Sequence, residues 1–325
     1  MKFSRKAHET VESLVFLAPF LVVFGLFLAY PIIYSLYLSF HKVGDLSSVF
    51  SSLEFVGLSH YSELFKDTEF WWSLVITFVY SLISIPFGIS FALMLALLLN
   101  NKLPGKTFFR SAYFLPNVLD ILVVSMIWTL IYSAPYGYLL QFIGKIADMN
   151  IWIISSVFNS FYNFFSKTGF LGNPFTALPS IIFALTLKGA GFGMVLFLAA
   201  IQNIPGDIYE AADIDGASKI RKFYHITLPL LKPILLFMVI TGVIGSLNAF
   251  TEIYIMTSGG PNVTIGESVP FFGGTTQGAT KVTGYYLFRK FRDLKLGYAA
   301  AMSYILLFIT IFITFLNMKL LKKED

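Results

Sequence analysis

The chain has 325 residues, of which 56% are apolar and only 13% are Asp, Glu, Lys or Arg. A soluble domain carries about 25% charged residues, so this composition indicates a membrane protein and excludes a disordered chain. The chain contains no Cys, which excludes a disulfide-stapled fold, a cysteine metal site and a thiol enzyme. The 23 basic residues only slightly outnumber the 18 acidic ones. Such an excess is expected in the cytoplasmic loops of a membrane protein, and nucleic acid is not an expected partner.

Six apolar stretches are long enough to cross the hydrocarbon core, which takes a helix of about 20 residues. They are residues 14–40, 71–99, 112–132, 179–201, 226–256 and 298–320. The sequence therefore predicts an all-α, polytopic membrane protein with six transmembrane helices between an N-terminal segment, 1–13, and a tail, 321–325. The first stretch is long and is followed by five more, so it is not expected to be a cleaved signal peptide.

Residues 151–165 are also apolar, but the stretch is short and is interrupted by Ser and Asn. A stretch of this length is more typical of an interfacial or re-entrant segment than of a seventh span.

The orientation follows from the basic residues, which concentrate in cytoplasmic loops. Residues 100–111 carry three basic residues and no acid, whereas residues 41–70 carry two basic and five acidic residues. Both termini and the segment 202–225 are therefore predicted to be cytoplasmic. The segments 133–178 and 257–297 then lie outside, although the second contains a basic cluster that runs against the rule.

The cytoplasmic segment between spans four and five has the composition of a docking helix. From Ile204 it is IPGDIYEAADIDGASKIRKFYHITLPLLKP, in which acids in the first helical turns complement the helix dipole. Gly216 inside a helix costs about 1 kcal/mol relative to Ala, so it predicts a turn between two short helices. Small residues allow close approach to another surface, but an ordinary solvated loop helix is an open alternative.

The spacing in this segment resembles the EAA loop of membrane subunits of binding-protein-dependent ABC importers. Glu210-Ala211-Ala212 is followed after three residues by Gly216, and after nine more by an Ile-x-Leu-Pro sequence that ends at Pro229. More specifically, the chain resembles sugar-importer permeases, in particular the larger maltose-transporter membrane subunit and the glycerol-phosphate permease. The stretches FVGLSHYSEL, LLLNNKLPGKTFFRSAYFLP, LKGAGFGMVLFLAAIQNIP and LGYAAAMSYILLF carry this resemblance.

The resemblance covers most of residues 14–320, the expected transmembrane domain of the importer. Residues 133–173 and 262–284 look like insertions relative to shorter members of the family.

In this family the EAA helix docks in a cleft of a cytoplasmic ATPase. The resemblance therefore implies that Glu210, Ala211, Ala212, Asp215 and Gly216 couple the chain to an ATPase. No G-x-x-x-x-G-K-[ST] motif occurs in the chain, so ATP is expected to bind to two partner ATPase subunits. No cofactor is expected in this chain.

The resemblance also implies a second, homologous permease as heterodimer partner and an extracytoplasmic sugar-binding protein. The expected location is the bacterial inner membrane. The outer segments would receive the binding protein, with a basic cluster complementing an acidic surface or an acidic saccharide. The cluster consists of Arg289, Lys290, Arg292 and Lys295.

Charged residues within spans are rare and mark either substrate pathways or structural pairs. They are Asp120, Lys188, Lys232 and Glu252. Lys232 is near enough to the cytoplasmic surface to extend its amine there. Lys188 and Glu252 either contact substrate or form a structural ion pair with each other, and Asp120 either packs helices or gates the path.

Three glycines follow Lys188 within five residues, Gly189, Gly191 and Gly193. They allow the fourth helix either to pack closely or to unwind.

By motif position, several residues of spans four and five match sugar-contacting positions of the maltose permease. They are Leu185, Lys188, Gly189, Phe192, Ser246 and Ala249. Leu185 and Ala249 lack polar groups, so a maltose-like site is not expected in detail. An amine and an aromatic ring would suit a substrate ring that carries hydroxyl or carboxylate groups. The candidates for the substrate path are Lys188, Gly189, Phe192, Ser246, Asn248, Glu252 and Asp120.

The four histidines are scattered and no pair has metal-ligand spacing, so neither a metal site nor a catalytic residue is predicted. The predicted function is that of a permease subunit, which forms half of the pathway of an ATP-driven importer for sugars or oligosaccharides. The alternatives are a secondary carrier, which would show internal repeats, and a membrane-embedded enzyme, which would need clustered His, Asp or Glu. The sequence does not identify the sugar.

Overall fold

The computed structural model describes residues 5–44, 53–101, 104–148 and 152–322. Residues 1–4 of the predicted N-terminal segment and 323–325 of the predicted tail lie outside the described residues. Within these ranges the chain is mostly helical with two short strand pairs, which confirms the all-α prediction. It divides into two units, Met1–Asp67 with Leu287–Phe308 and Thr68–Tyr286 with Ile309–Asp325.

The helices are α1 (Arg5–Phe24), α2 (Tyr30–Ser39), α3 (Ser59–Lys66), α4 (Thr68–Asn100), α5 (Lys106–Val118), α6 (Ile121–Tyr132), α7 (Tyr138–Ala147), α8 (Trp152–Phe165), α9 (Pro174–Gln202), α10 (Gly206–Ile214), α11 (Lys219–Lys222), α12 (Leu228–Leu230), α13 (Lys232–Leu247), α14 (Thr251–Met256), α15 (Thr283–Arg292) and α16 (Leu296–Lys322). The strands form two antiparallel pairs, β1 (His41–Val43) with β2 (Leu53–Phe55) and β3 (Asn262–Thr264) with β4 (Thr276–Gly278).

The first unit contains the first predicted span as one long helix. A π-helical turn, Gly25–Ala29, joins α1 to α2 just before Pro31. Proline has no amide hydrogen and interrupts the α-helical ladder, and the wider turn lies where that interruption falls. The resulting apolar helix, Glu12–Ser39, is 28 residues long. Tyr304 of α16 donates a hydrogen bond to the carbonyl of Ile32 at 2.5 Å.

Three other predicted spans, 71–99, 179–201 and 298–320, correspond to long apolar helices. These are Thr68–Asn100, Pro174–Gln202 and Leu296–Asn317, each long and apolar enough to cross a membrane. Helices satisfy their backbone hydrogen bonds internally, which is what a lipid environment demands.

The predicted third span, 112–132, is not one helix. α5 and α6 meet at an angle of 100°, because Asp120 starts a new helix. Its backbone is extended, and its carboxylate Oδ1 accepts the N–H of Leu122 at 2.8 Å. Hydropathy identifies the apolar stretch but does not register the capping residue that divides it into two helices.

The predicted fifth span, 226–256, is also broken. The helical segment Lys219–Leu230 meets α13 at 64°, next to Pro233, whose ring restricts the residue before it and removes a donor. A second break follows at Asn248, after which the chain starts again as α14.

The second unit is built on close packing of α4, α5, α9 and α13. A Cβ on Gly193 of α9 would lie 2.8 Å from the Cβ of Ala92 on α4. A Cβ on Gly191 would lie 2.1 Å from the carbonyl oxygen of Tyr113 on α5. Small residues allow such approach between membrane helices. Because α9 runs unbroken through both glycines, their role is packing and not unwinding.

The two apparent insertions have simple structures. Within residues 133–173, α7 and α8 pack on each other as a helical hairpin, and α8 accounts for most of the stretch 151–165. Residues 262–284 contain the β3–β4 pair, and Trp72 Nε1 of α4 donates to the carbonyl of Gly278 at 2.9 Å.

Candidate coupling loop and substrate cavity

The segment between α9 and α13 forms two short helices separated at Gly216, where the sequence places the turn. The N–H of Ala217 donates to the carbonyl of Ala212 at 2.9 Å, and the N–H of Gly216 to that of Asp213 at 3.1 Å. This is the Schellman pattern of helix termination. Gly216 has φ of 72°, a left-handed conformation that costs a residue with a Cβ roughly 1–2 kcal/mol.

Side-chain contacts tie α10 to the segment that follows it. Lys222 Nζ lies 2.6 Å from Asp213 Oδ1, and the hydroxyls of Tyr209 and Thr227 share a hydrogen bond of 2.9 Å. Ser218 Oγ accepts an N–H from the first turn of α11 at 3.3 Å. The segment is therefore an ordered two-helix unit rather than an extended connection.

The candidate coupling residues divide by exposure. Ala212 is buried, while Glu210, Ala211, Asp215 and Gly216 are exposed. α10 therefore packs through Ala212 and leaves the other four candidates at the surface.

Two exposed isoleucines on the same unit were missed by the sequence reasoning. Ile214 is 89% exposed and Ile220 is 72% exposed. Their signal was available, since each interrupts a run of charged residues in a segment predicted to be cytoplasmic. The unit thus displays two apolar side chains among its charged residues.

A cavity of about 410 Å³ lies among α4, α9, α13 and α14 in the second unit. Its polar lining groups are Tyr80 and Ser84 of α4, Thr186 of α9, Ser246 of α13 and Glu252 of α14. Hydroxyls and a carboxylate on an otherwise apolar wall are suited to a ligand that offers both hydrogen-bond donors and acceptors.

The structure brings three of the predicted substrate-path residues, Gly189, Ser246 and Glu252, together around this cavity. Ser246 Oγ donates to Ser81 Oγ at 2.9 Å, which fixes α13 against α4. A Cβ on Gly189 would meet nothing within 4 Å, so this glycine keeps the wall open and does not serve packing.

The other candidates do not line this cavity. Asp120 is exposed and caps α6. Asn248 is exposed, and its Nδ2 donates to the carbonyl of Ile244 at 2.8 Å, at the end of α13. Phe192 is 45% exposed and is not among the residues that line the cavity. Asp120 and Asn248 thus have local roles at helix ends.

Lys188 and Glu252, considered above as an ion pair, are not directly paired in the described part of the chain. Lys188 Nζ donates to the carbonyl of Asn117 at 3.5 Å and so joins α9 to α5. Glu252 is 6% exposed in the first turn of α14, where the amides of the helix start face its carboxylate and Lys188 acts at longer range. Glu252 is therefore a buried acid held by a helix N-terminus.

The sequence reasoning missed Tyr80, Ser84 and Thr186. A signal existed for α4, because Tyr80, Ser84 and Gly88 recur every four residues and so share one helix face. All three line the cavity. Thr186 gave no separate signal in its apolar surroundings.

The basic cluster of the last predicted outer segment is partly engaged within the first unit. Lys290 Nζ lies 3.8 Å from Asp67 Oδ2 and 5.3 Å from the centroid of the Tyr298 ring. Tyr298 donates to the same carboxylate at 2.5 Å. Lys290 is therefore a structural residue. Across the described ranges, no group of three or more His, Asp or Glu is placed to hold a metal ion.

The comparisons with known proteins agree with this architecture. Residues 84–323 match the family described as binding-protein-dependent transport system inner membrane component. The lactose transport system permease protein LacF of Rhizobium radiobacter is 32% identical over 316 residues, which are 97% of this chain and 95% of that protein. The trehalose/maltose transport system permease protein MalF of Thermococcus litoralis is 33% identical over 256 residues, 79% of this chain and 80% of that protein.

A solved structure has the same fold. It is a bacterial alginate ABC transporter in complex with an alginate pentasaccharide-bound periplasmic protein, and the similar chain has a TM-score of 0.73 at 20% identity. The similarity covers 98% of this chain and 96% of that one. The family match includes the two-helix unit and the cavity-lining residues of α9, α13 and α14. The chain therefore belongs to the family of binding-protein-dependent transport system inner membrane components.

Proposed function

We propose that this chain is the permease subunit of an ATP-driven ABC importer for sugars or oligosaccharides, and that it forms half of the translocation pathway. The observation that carries the proposal is the EAA segment, an exposed and ordered two-helix unit in a chain of this family. The names of the lactose and trehalose/maltose relatives support sugar as the substrate class.

ATP is hydrolysed on separate cytoplasmic subunits, and α10 is the part of this chain that they contact. Glu210, Ala211, Asp215 and Gly216 are exposed for that contact, and Ile214 adds an apolar anchor. Since α10 is tied to the following helices by Lys222 and by the Tyr209 hydroxyl, a push on α10 moves the base of α13. Both termini lie on the same cytoplasmic side of the bacterial inner membrane.

Substrate passes along the cavity between α4, α9 and α13. Gly189, Ser246 and Glu252 line it, and a buried carboxylate beside hydroxyls can accept hydrogen bonds from the hydroxyls of a sugar. The pathway is completed by a second, homologous permease, and an extracytoplasmic sugar-binding protein delivers the substrate.

The test is purification and reconstitution. The chain is expressed with the proteins encoded beside it, purified through a tag on this chain, and placed in liposomes with a panel of labelled oligosaccharides. We expect a second permease and two ATPase subunits to co-purify, and uptake to require ATP on the side of the EAA segment. Uptake by the chain alone, driven by an ion gradient without ATP, would overturn the proposal in favour of a secondary carrier.

A further inference from the structure

The helix α8 has an exposed surface with two chemically different sides. Val157, Phe161 and Phe164 are 53%, 53% and 59% exposed, and at about 100° per residue they share one helix face. Asn159 and Asn163 are exposed on the opposite side. An exposed helix with one apolar face and one face of amide side chains is suited to the interface between lipid and water.

The exposed rings are not the interior of the α7–α8 hairpin, which has its own buried contacts. Leu140 is fully buried, Ile143 is 8% exposed and Phe165 is 5% exposed. α7 adds further exposed rings, with Tyr138 at 72% and Phe142 at 61%. The hairpin thus has buried side chains and still presents an aromatic surface.

That surface opens onto an apolar crevice of about 710 Å³ shared with the membrane helices. The hairpin contributes Phe161 and Phe165, and α4 contributes Ile83 and Phe87. Ile83 lies near the middle of the 33-residue α4, roughly 22 Å along the helix from Thr68. The crevice therefore extends from the hairpin to the middle of a helix that is long and apolar enough to cross a membrane.

Charge is almost absent from this surface. Between residues 133 and 166 the chain carries only Lys145 and Asp148, and both are exposed near the end of α7. The apolar faces of α4 and α9 beside the crevice are open too, with Phe87 at 43% and Phe183 at 46% exposed. The aromatic face of the hairpin is thus continuous with exposed apolar side chains of α4 and α9, two helices long and apolar enough to cross a membrane.

We infer that the α7–α8 hairpin lies along the membrane surface with Val157, Phe161 and Phe164 among the lipid acyl chains, and that an acyl chain occupies the crevice. The asparagine face meets water and headgroups. Aromatic side chains are favoured at this depth, and helices satisfy their own backbone groups there. The inference requires membrane insertion of the chain but not transport of any substrate.

The lack of Cys in the chain makes the test direct. Single variants Phe161→Cys, Phe164→Cys, Asn159→Cys and Asn163→Cys are labelled with a nitroxide in the full-length chain, within the complex it forms, in lipid nanodiscs. Collision rates are measured with oxygen, which concentrates in lipid, and with a water-soluble nickel complex. We expect the ratio of the oxygen collision rate to the nickel collision rate to be at least several-fold higher at the phenylalanine positions than at the asparagine positions.

Two reference positions calibrate the scale, Leu82→Cys on the exposed face of α4 for lipid and Glu63→Cys on α3 for water. If Phe161→Cys or Phe164→Cys does not assemble, Val157→Cys replaces it on the same face of the helix.

Three results would overturn the inference. Equal access of nickel to all four positions places the hairpin in water, and oxygen preference at all four places it inside the bilayer. Shielding of the phenylalanine positions from both reagents shows that a protein covers them. Loss of transport activity has no bearing on the readout, so this test and that of the proposed function fail independently.

Discussion

Replacement of Gly216 by Ala tests the idea that the turn after α10 depends on a left-handed residue. The φ of Gly216 is 72°, and a Cβ built there would meet nothing within 4 Å. The substitution therefore introduces no collision with other residues, and its effect is purely conformational. The expected cost is roughly 1–2 kcal/mol, the penalty for a residue with a Cβ in this region.

That penalty acts on the hydrogen bonds that close the turn, above all the 2.9 Å bond from the N–H of Ala217 to the carbonyl of Ala212. If the strain is released when the turn opens, the equilibrium constant for opening rises roughly 5- to 30-fold. Hydrogen exchange of peptides spanning residues 210–220 measures this change in the reconstituted complex. Asn tolerates the left-handed region better than Ala, so Gly216→Asn is expected to fall between wild type and Gly216→Ala.

Gly206→Ala is the matched control. Gly206 also has open space around a built Cβ, but no positive φ, and it is the first residue of α10. We expect its replacement to leave exchange in the turn unchanged. The reasoning is refuted if Gly216→Ala exchanges like wild type, or if Gly206→Ala opens the turn equally.

The remaining predictions concern the cavity, the packing and the loop. Glu252→Gln should lower the rate of uptake roughly ten-fold, because an amide replaces one acceptor oxygen with a donor and a mismatched buried polar group costs about 1–3 kcal/mol. Phe192→Ala, outside the cavity, should not lower it, and equal effects in uptake assays contradict the cavity assignment. Gly191→Ala should destabilise the chain by about 1–3 kcal/mol through overpacking, and Gly189→Ala should not, as compared by thermal unfolding in detergent. Lys222→Ala should lower the free energy of unfolding by only about 0.2–1 kcal/mol, because its partner Asp213 is 63% exposed. A larger loss of stability, or one that does not change with salt concentration, would show that the pair is shielded from water.

Much of this architecture could be predicted from the sequence because lipid leaves few choices. An apolar stretch long enough to span the bilayer has to be helical to satisfy its backbone, so α4, α9 and α16 appear where hydropathy places them. Gly216 was also predictable, since a glycine in a helical run both weakens the helix and permits the turn that ends it.

The breaks were harder to predict, because they depend on single residues that leave mean hydropathy unchanged. Asp120 resembles a charged residue in a span, yet its carboxylate starts a helix. The different positions of the Lys188 and Glu252 side chains depend on tertiary structure. The Lys188 amine donates to a carbonyl of α5, whereas Glu252 lines the cavity. Spacing along the chain does not contain that information.

The interruption between α13 and α14 places polar backbone groups beside the cavity. A helix end leaves amide and carbonyl groups without intrahelical partners, and in a bilayer such groups are tolerated only where protein or water satisfies them. This interruption lies between Ser246 and Glu252, which both line the same cavity. The chain satisfies part of this need itself, because Thr283 Oγ1 donates to the carbonyl of Leu247 at 3.3 Å and the carboxyl group of Glu252 faces the amides at the start of α14. In the proposed pathway, a polar solute would therefore exchange its hydration shell for polar groups of the protein.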